Sequence, residues 1–191
     1  MTSRQGIIFI VSGPSGSGKT TLCRMVESRL GIAHSVSYTT RSIRSGEMEN
    51  KDYHFVNSEK FEKMIQGNAF LEWAHVHGNQ YGTALQETLD VIQSGKDLIL
   101  DLDTQGALEV KSKRQDAVLI FIDAPDDQIL ADRLGKRGTE APEVKIKRLA
   151  RAEHEREFKS QYDYVITNDE LEKTLNFIIE LIEKERSTRK T

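Results

Sequence analysis

Eight consecutive residues, Gly13-Pro14-Ser15-Gly16-Ser17-Gly18-Lys19-Thr20, carry the strongest chemical signal in the chain. They read G-x-x-x-x-G-K-T, follow the apolar run Ile7-Ile8-Phe9-Ile10-Val11 directly, and precede a helical pattern. That context is what a phosphate-binding loop requires. Glycines let the backbone curl so that successive N–H groups face one anionic centre, and the helix that follows adds the positive end of its dipole. Lys19 can then reach the β- and γ-phosphates, and the Thr20 hydroxyl is free to ligate magnesium. The spacing predicts a chain that binds a nucleoside triphosphate.

Two further patterns could serve charged ligands. Asp101 and Asp103 stand two apart at the end of the run Asp97-Leu98-Ile99-Leu100-Asp101-Leu102-Asp103. On a strand they would share one face, at the carboxyl edge where α/β sheets bind ligands. Two acids beside phosphates can hold magnesium, its waters or sugar hydroxyls, and the spacing does not choose among these. Arg133 and Arg137 are four apart, so one helix face carries both. The histidines at 34, 54, 75, 77 and 154 do not form a metal set. Cys23 is the single cysteine, which leaves no internal disulfide, and it reads as a small packing residue.

The elements that must position these groups follow from hydrophobic periodicity. Strand 7–11 leads through the loop into a helix from Lys19 to Leu30, with Leu22, Met25, Val26 and Leu30 on its apolar face and Gly31 closing it. Residues 34–40 and 53–56 alternate as strands do, joined by the polar loop 41–52. Ser58 reads as the cap of a helix that buries Phe61, Met64 and Ile65 and ends at Gly67. Short strands at 70–73 and 81–83 complete a small α/β insertion over about 35–85. A helix over 84–94, a strand over 97–103, a helical stretch and a strand over 118–122 resume the core, their apolar runs typical of strands buried between helices. Residues 127–158, dense in Arg, Lys and Glu and broken at Gly135, Gly138 and Pro142, read as two helices with an exposed connection. A strand over 164–166 and an amphipathic helix bearing Leu171, Leu175, Ile178, Ile179 and Ile182 close the chain. Alternating βα units behind a phosphate loop predict a doubly wound parallel sheet, with the insertion and a helical lid added to it.

Composition excludes several alternatives. A length of 191 residues fits one domain, with core segments at about 1–34, 86–126 and 159–191. Net charge is −3 and no long run of one sign occurs, which argues against a protein that covers nucleic-acid backbone. No apolar stretch approaches the ~18 residues of a membrane span. The N-terminus carries no apolar signal segment, so a cytoplasmic address is the default expectation. The oligomeric state stays open.

A phosphate loop gives the donor and leaves the acceptor to other clusters, and here the chain resembles guanylate kinase, the ATP-dependent GMP kinase family. The resemblance runs from about Gly6 to Ile182 and rests on separated motifs in family order. These are Ser37-Tyr38-Thr39-Thr40-Arg41-Ser42-Ile43-Arg44-Ser45-Gly46-Glu47, Lys51-Asp52-Tyr53, Phe70-Leu71-Glu72-Trp73, Gly78-Asn79-Gln80-Tyr81-Gly82-Thr83, Leu100-Asp101-Leu102-Asp103-Thr104-Gln105-Gly106-Ala107 and Arg133-Leu134-Gly135-Lys136-Arg137-Gly138-Thr139. It implies phosphorylation of GMP, with dGMP as a second acceptor, by ATP and Mg²⁺. The grip on the GMP phosphate falls on Arg41, Arg44, Tyr53 and Tyr81, with Glu47 in the same site; forked guanidinium groups and phenols suit a dianionic monoester. Guanine recognition falls on Ser37, Glu72 and Thr83. One carboxylate accepts both N1–H and N2–H of guanine, whereas adenine offers a bare N1 at that edge. Asp101 and Asp103 lie near GMP and the metal–phosphate region in this resemblance. Arg133, Arg137 and Arg148 are lid arginines that act on the migrating phosphoryl, Thr21 belongs with the ATP loop, and Asn168 matches an asparagine near adenine.

The chain departs from the family pattern where prolines are usual, with Ile43, Ser45 and Ala84 in their place. The expected effect is a looser GMP-binding loop, since each compatible proline contributes about 0.4–1 kcal/mol through the unfolded state. Two other readings compete with this one. A ribose bisphosphate kinase on the same scaffold would not need Ser37, Glu72 and Thr83. An interaction module that has lost catalysis would be expected to erode Lys19 or the lid arginines, and both sets are present.

Overall fold

The structure is a computed structural model and describes residues 4–76, 78–135 and 142–189. In chain order the elements are β1 (Ile8–Ser12), α1 (Lys19–Leu30), β2 (Ala33–His34), β3 (Tyr38–Thr39), β4 (His54–Phe55), α2 (Ser58–Gln66), β5 (Phe70–Val76) and β6 (Asn79–Ala84). There follow α3 (Leu85–Gln93), β7 (Leu98–Asp101), α4 (Thr104–Lys113), β8 (Val118–Asp123), α5 (Asp127–Gly135), α6 (Pro142–Arg156), β9 (Tyr164–Thr167) and α7 (Leu171–Thr188).

Five strands form a parallel sheet in the order β2-β7-β1-β8-β9. Every residue of β1 is buried, because the strand is covered on both faces. Ile7, Phe9 and Val11 point into one core with Leu22 and Val26 of α1 and with Leu175, Ile178 and Ile182 of α7. Ile8 and Ile10 point into the other core with Ile92 of α3 and with Ala107 and Val110 of α4. This two-sided burial is the physical reason for the continuous apolar runs, and the fold is the doubly wound α/β architecture expected. The chain leaves β1 between its neighbours β7 and β8, where strand order reverses, so the crevice at its carboxyl end is open to a ligand.

The second sheet has the order β4-β3-β6-β5. Its strands β5 and β6 pair antiparallel, with the register shifting between Phe70 and Glu72. Segment 34–40, expected as one strand, is divided: β2 joins the large sheet and β3 joins this smaller one, so the chain crosses between sheets at Ser35-Val36-Ser37.

Three local expectations change. The strand predicted over 97–103 stops at Asp101, and Asp103 caps α4 instead, its carboxylate accepting from the Gly106 N–H at 2.9 Å. An aspartate that satisfies an orphan donor of a helix start is stabilised there by about 1 kcal/mol, which outweighs another strand residue. The two acids therefore do not share a strand face. Helix α2 is capped by Asn57, whose Oδ1 accepts from Lys60 N–H at 2.8 Å, and Ser58 is its first helical residue. In α7 the buried stripe is Thr174, Leu175, Ile178, Leu181 and Ile182, which turns Leu171 out to solvent.

Candidate active site

The crevice at the end of β1 opens into a cleft of about 700 Å³ between the large sheet and the small one. Its floor is the loop 13–20. Gly13 has φ +133°, and a Cβ there would lie 2.1 Å from the carbonyl oxygen of Ile122, so the close approach to β8 requires glycine. Gly18 starts α1 with φ +97° and no side-chain cap, which leaves the first-turn N–H groups of α1 to an anion. Ser15 stands exposed at the tip, while Pro14, Gly16 and Ser17 are buried under it. Lys19 Nζ donates to the Pro14 carbonyl at 3.1 Å. Thr20 Oγ1 donates to Asp101 Oδ2 at 2.6 Å, bringing the loop hydroxyl and the strand-end acid together. Thr21 faces solvent on the first turn of α1.

Asn168 lies behind this loop. Its Nδ2 donates to the Ser17 carbonyl at 2.7 Å, and Arg133 Nη2 of α5 donates to the Asn168 carbonyl at 3.1 Å. The buried Arg133 Nη1 has no partner among the described residues, so one arm of that guanidinium is uncommitted. Arg137 lies outside the described residues. Arg148 sits on α6 with its side chain outside them.

The opposite wall is built by β5 and β6. The register shift places an extra residue in β5, so that Leu71 packs into the core below while Glu72 pairs directly with Thr83. Glu72 is only 4% exposed. Its Oε1 accepts from Thr83 Oγ1 at 2.6 Å. Burial pushes the Glu72 carboxyl up to about 7, with the Thr83 hydroxyl pulling down and the charge of Asp103 adding to the rise. The other oxygen, Oε2, lies 2.7 Å from where a Cβ on Gly106 would stand, so the glycine in α4 makes room for the carboxylate. Lys113, also on α4, donates to the Leu71 carbonyl at 2.6 Å and pins the strand at this point. Ser37, half-buried at the sheet crossing, lines the same cleft.

Between the two walls lies a cationic, aromatic cluster. Arg41 makes a forked pair with Glu47, at 2.8 and 2.9 Å, and its Nε donates to the Tyr81 hydroxyl at 3.2 Å. The Arg41 guanidinium also lies over the ring of Tyr53 at 5.3 Å, and Tyr53 meets Tyr81 edge to face at 5.9 Å. The forked bond from Arg41 holds the Glu47 carboxyl below its ordinary range. Glu47 also accepts from the Arg44 N–H at 2.8 Å, so it reaches the cluster by fixing Arg41 and Arg44. The Arg44 side chain is exposed. Burial raises the Tyr53 phenol and the charge of Asp101 raises it further, which ties this cluster electrostatically to the floor. Arg24 of α1 donates to Asp52 at 2.6 Å and spans the two sides of the cleft.

Sequence reasoning did not single out Arg151 and Glu155 on α6, yet both line this cleft. Arg151 Nε donates to Glu155 Oε1 at 3.0 Å, and its Nη2 approaches Asp103 Oδ2 at 3.5 Å. The signal available in the sequence was an Arg–Glu pair four apart on a helix, which is common on solvated faces and so conveys little.

The cation logic of the floor is specific. Thr20 and Asp101 present hard oxygen donors, and Asp103 lies beside them. No group of three or more His, Cys, Asp or Glu side chains arranged to hold a metal ion by themselves occurs among the described residues. The residues suit a magnesium ion held chiefly by phosphate oxygens and waters, as that ion prefers. A strand, glycine loop and uncapped helix start, facing a second cluster of guanidinium and phenol groups, fit the class of P-loop small-molecule kinases.

Comparison with known proteins narrows the class. The guanylate kinase family profile matches residues 5–185. A guanylate kinase of Fusobacterium nucleatum is 44% identical over 93% of this chain and 96% of its own length. A guanylate kinase of Syntrophotalea carbinolica is 47% identical over 88% of this chain and 80% of its own. The crystal structure of guanylate kinase from Anaplasma phagocytophilum superposes with a TM-score of 0.81 at 32% identity, covering 97% of this chain and 88% of that one. The chain belongs to the guanylate kinase family.

Proposed function

We propose that the two walls of the cleft hold the two nucleotides of the guanylate kinase reaction, ATP on the loop 13–20 and GMP against Glu72. The reaction is ATP + GMP ⇌ ADP + GDP. The observation that carries the assignment of sides is the buried Glu72–Thr83 pair, 2.6 Å apart, across the cleft from the phosphate loop. A buried carboxylate with one oxygen already fixed by a hydroxyl suits the adjacent N1–H and N2–H donors of guanine. A site built around such bonds rejects an analogue that lacks them by about 10⁴–10⁵-fold. Adenine would leave Glu72 facing a lone pair.

Arg41, Arg44, Tyr53 and Tyr81 hold the GMP phosphate in this reading, with Glu47 presetting the Arg41 fork. Lys19 and the N–H groups at the start of α1 hold the donor phosphates, and Asn168 supports the loop from behind. Thr20 and Asp101 are the residues that would hold magnesium, which would supply neutralising positive charge to the donor phosphates. The acceptor oxygen of a phosphate monoester is already ionised, so direct in-line attack needs neither a covalent enzyme intermediate nor a strong general base. Positioning and charge neutralisation carry the rate, with Arg133, Arg137 and Arg148 as the cations that gather on the migrating group. Asp103 orients the clamp side through the α4 cap and its contact with Arg151. No helix among the described residues is long and apolar enough to cross a membrane.

The test is Glu72→Gln. An amide accepts one donor and repels the second, so kcat/KM for GMP should fall about 100-fold while KM for ATP stays within about twofold. Unchanged use of GMP would refute the placement of the base.

A further inference from the structure

The loop 41–52 brings the cations of the clamp to the cleft, yet it is built of turns and contains no proline. Gly46 and Asn50 within it take positive φ, +87° and +62°. Its shape therefore depends on side-chain bonds. Glu47 holds Arg41 and the Arg44 N–H, Glu49 accepts from the Phe55 N–H at 3.1 Å, and Asn50 pairs with His54 at 2.7 Å. All of these ties stay on the small-sheet side of the cleft. Asp52 differs. Its Oδ2 accepts from the Met48 N–H at 2.8 Å and fixes the local turn, while its Oδ1 accepts from Arg24 Nη2 at 2.6 Å. Arg24 belongs to α1, the helix that begins with Lys19 and Thr20, and both partners line the cleft. The Asp52 side chain is 16% exposed against 60% for Arg24, so the pair is sheltered on one side and belongs at the stronger end of surface pairs. Tyr53 follows directly, with the Arg41 guanidinium over its ring and Tyr81 at its edge.

We propose that Arg24 and Asp52 are positioning residues, their ion pair a strut that holds the acceptor clamp at its working distance from α1. This rests on the reading that Arg41, Tyr53 and Tyr81 hold the GMP phosphate. A clamp that is in place only part of the time binds its ligand with an affinity reduced by that fraction. The strut raises the fraction before GMP arrives, without touching the nucleotide. The two oxygens of Asp52 divide the work, one shaping the turn and one reaching the opposite wall. Asp52→Asn separates these tasks: the amide oxygen can still accept from Met48, whereas the amide N–H groups face a guanidinium that has nothing to bond.

The experiment is a double-mutant cycle on GMP affinity by titration calorimetry, using the full chain with Arg24→Met, Asp52→Asn and both together. Each single change should weaken GMP binding about threefold, and the double change should also cost about threefold, because both remove the same pair. Arg24→Lys keeps the charge and should recover most of the affinity. Added salt should narrow the gap between the parent and the variants, as screening weakens an exposed pair. Turnover at saturating GMP and the affinity for Mg·ATP should each stay within about twofold of the parent, the pattern of a lost preorganised population. Unchanged GMP affinity in either single variant overturns the proposal while leaving the clamp standing. So does a double variant weakened about ninefold, since additive losses mean that the two residues act separately. A parent protein that does not bind GMP overturns the clamp reading and this inference together.

Discussion

In the proposed acceptor site, Glu72 concentrates the chemistry in one proton. With its carboxyl pushed up to about 7 by burial, the ligand-free protein holds it part protonated at neutral pH. Guanine needs the ionised form, because a protonated carboxyl cannot accept both donors. GMP binding should therefore release a proton, and kcat/KM for GMP should fall roughly tenfold per unit as pH drops below about 7, levelling above it. Thr83→Val removes the hydroxyl that pulls this value down, so the acid limb should move to higher pH; a limb that stays put in the variant would contradict the pairing. The same shift has a cost in stability. A folded-state value raised above the unfolded one favours the fold below the ordinary carboxylate range, and that contribution is lost as pH rises through about 7. Sequence alone could nominate Glu72 by resemblance and by its apolar neighbours. Its shifted proton affinity depends on burial and on Thr83, which only the folded hairpin brings together.

The elements show why some positions were legible and others not. The loop 13–20 is local, its strand, glycines and helix adjacent in the chain, so pattern and structure coincide. The Glu72–Thr83 pair depends on an extra residue in β5, and nothing in Phe70-Leu71-Glu72-Trp73 marks which residue will be the odd one. Asp103 falls outside the expected strand because an aspartate after an apolar run reads equally as strand end or helix cap, and the choice is made by the free N–H of Gly106. The role of Gly106 was equally hidden, since it lies in a helix far along the chain from the carboxylate it admits. Gly106→Ala should raise KM for GMP about tenfold by displacing Glu72, while the better helix former leaves the melting temperature unchanged or higher. A fall in stability with KM intact would show that the glycine serves packing instead.

Across the whole molecule, the two walls of the cleft are only as fixed as the sheet beneath them, and Asp97 ties that sheet to Arg4 and Arg186. Its side chain is 2% exposed, accepts from the Ile7 N–H at 2.8 Å, and pairs with Arg4 and with Arg186 at 2.7 Å. Burial alone would raise the Asp97 carboxyl, but the Ile7 N–H, Arg186 and Arg4 hold it below its usual range. That stability is present above the unfolded value of 3.8 and lost as pH falls through the folded one. Asp97→Asn should cost about 3 kcal/mol at pH 7 in thermal unfolding, with the gap from the parent narrowing below about pH 4. Catalysis at room temperature should persist, because the residue lies at the opposite end of β7 from the cleft. Such ties join residues some ninety positions apart, beyond the reach of periodicity. The doubly wound order was legible because each βα unit announces itself, whereas the relation of the small sheet to the large one comes from tertiary contacts. The most direct measurement is a coupled assay with Mg·ATP and each of GMP, AMP, CMP and UMP at equal concentration. The account predicts turnover with GMP and at least about 10³-fold lower kcat/KM with the others. Comparable turnover of AMP would contradict it.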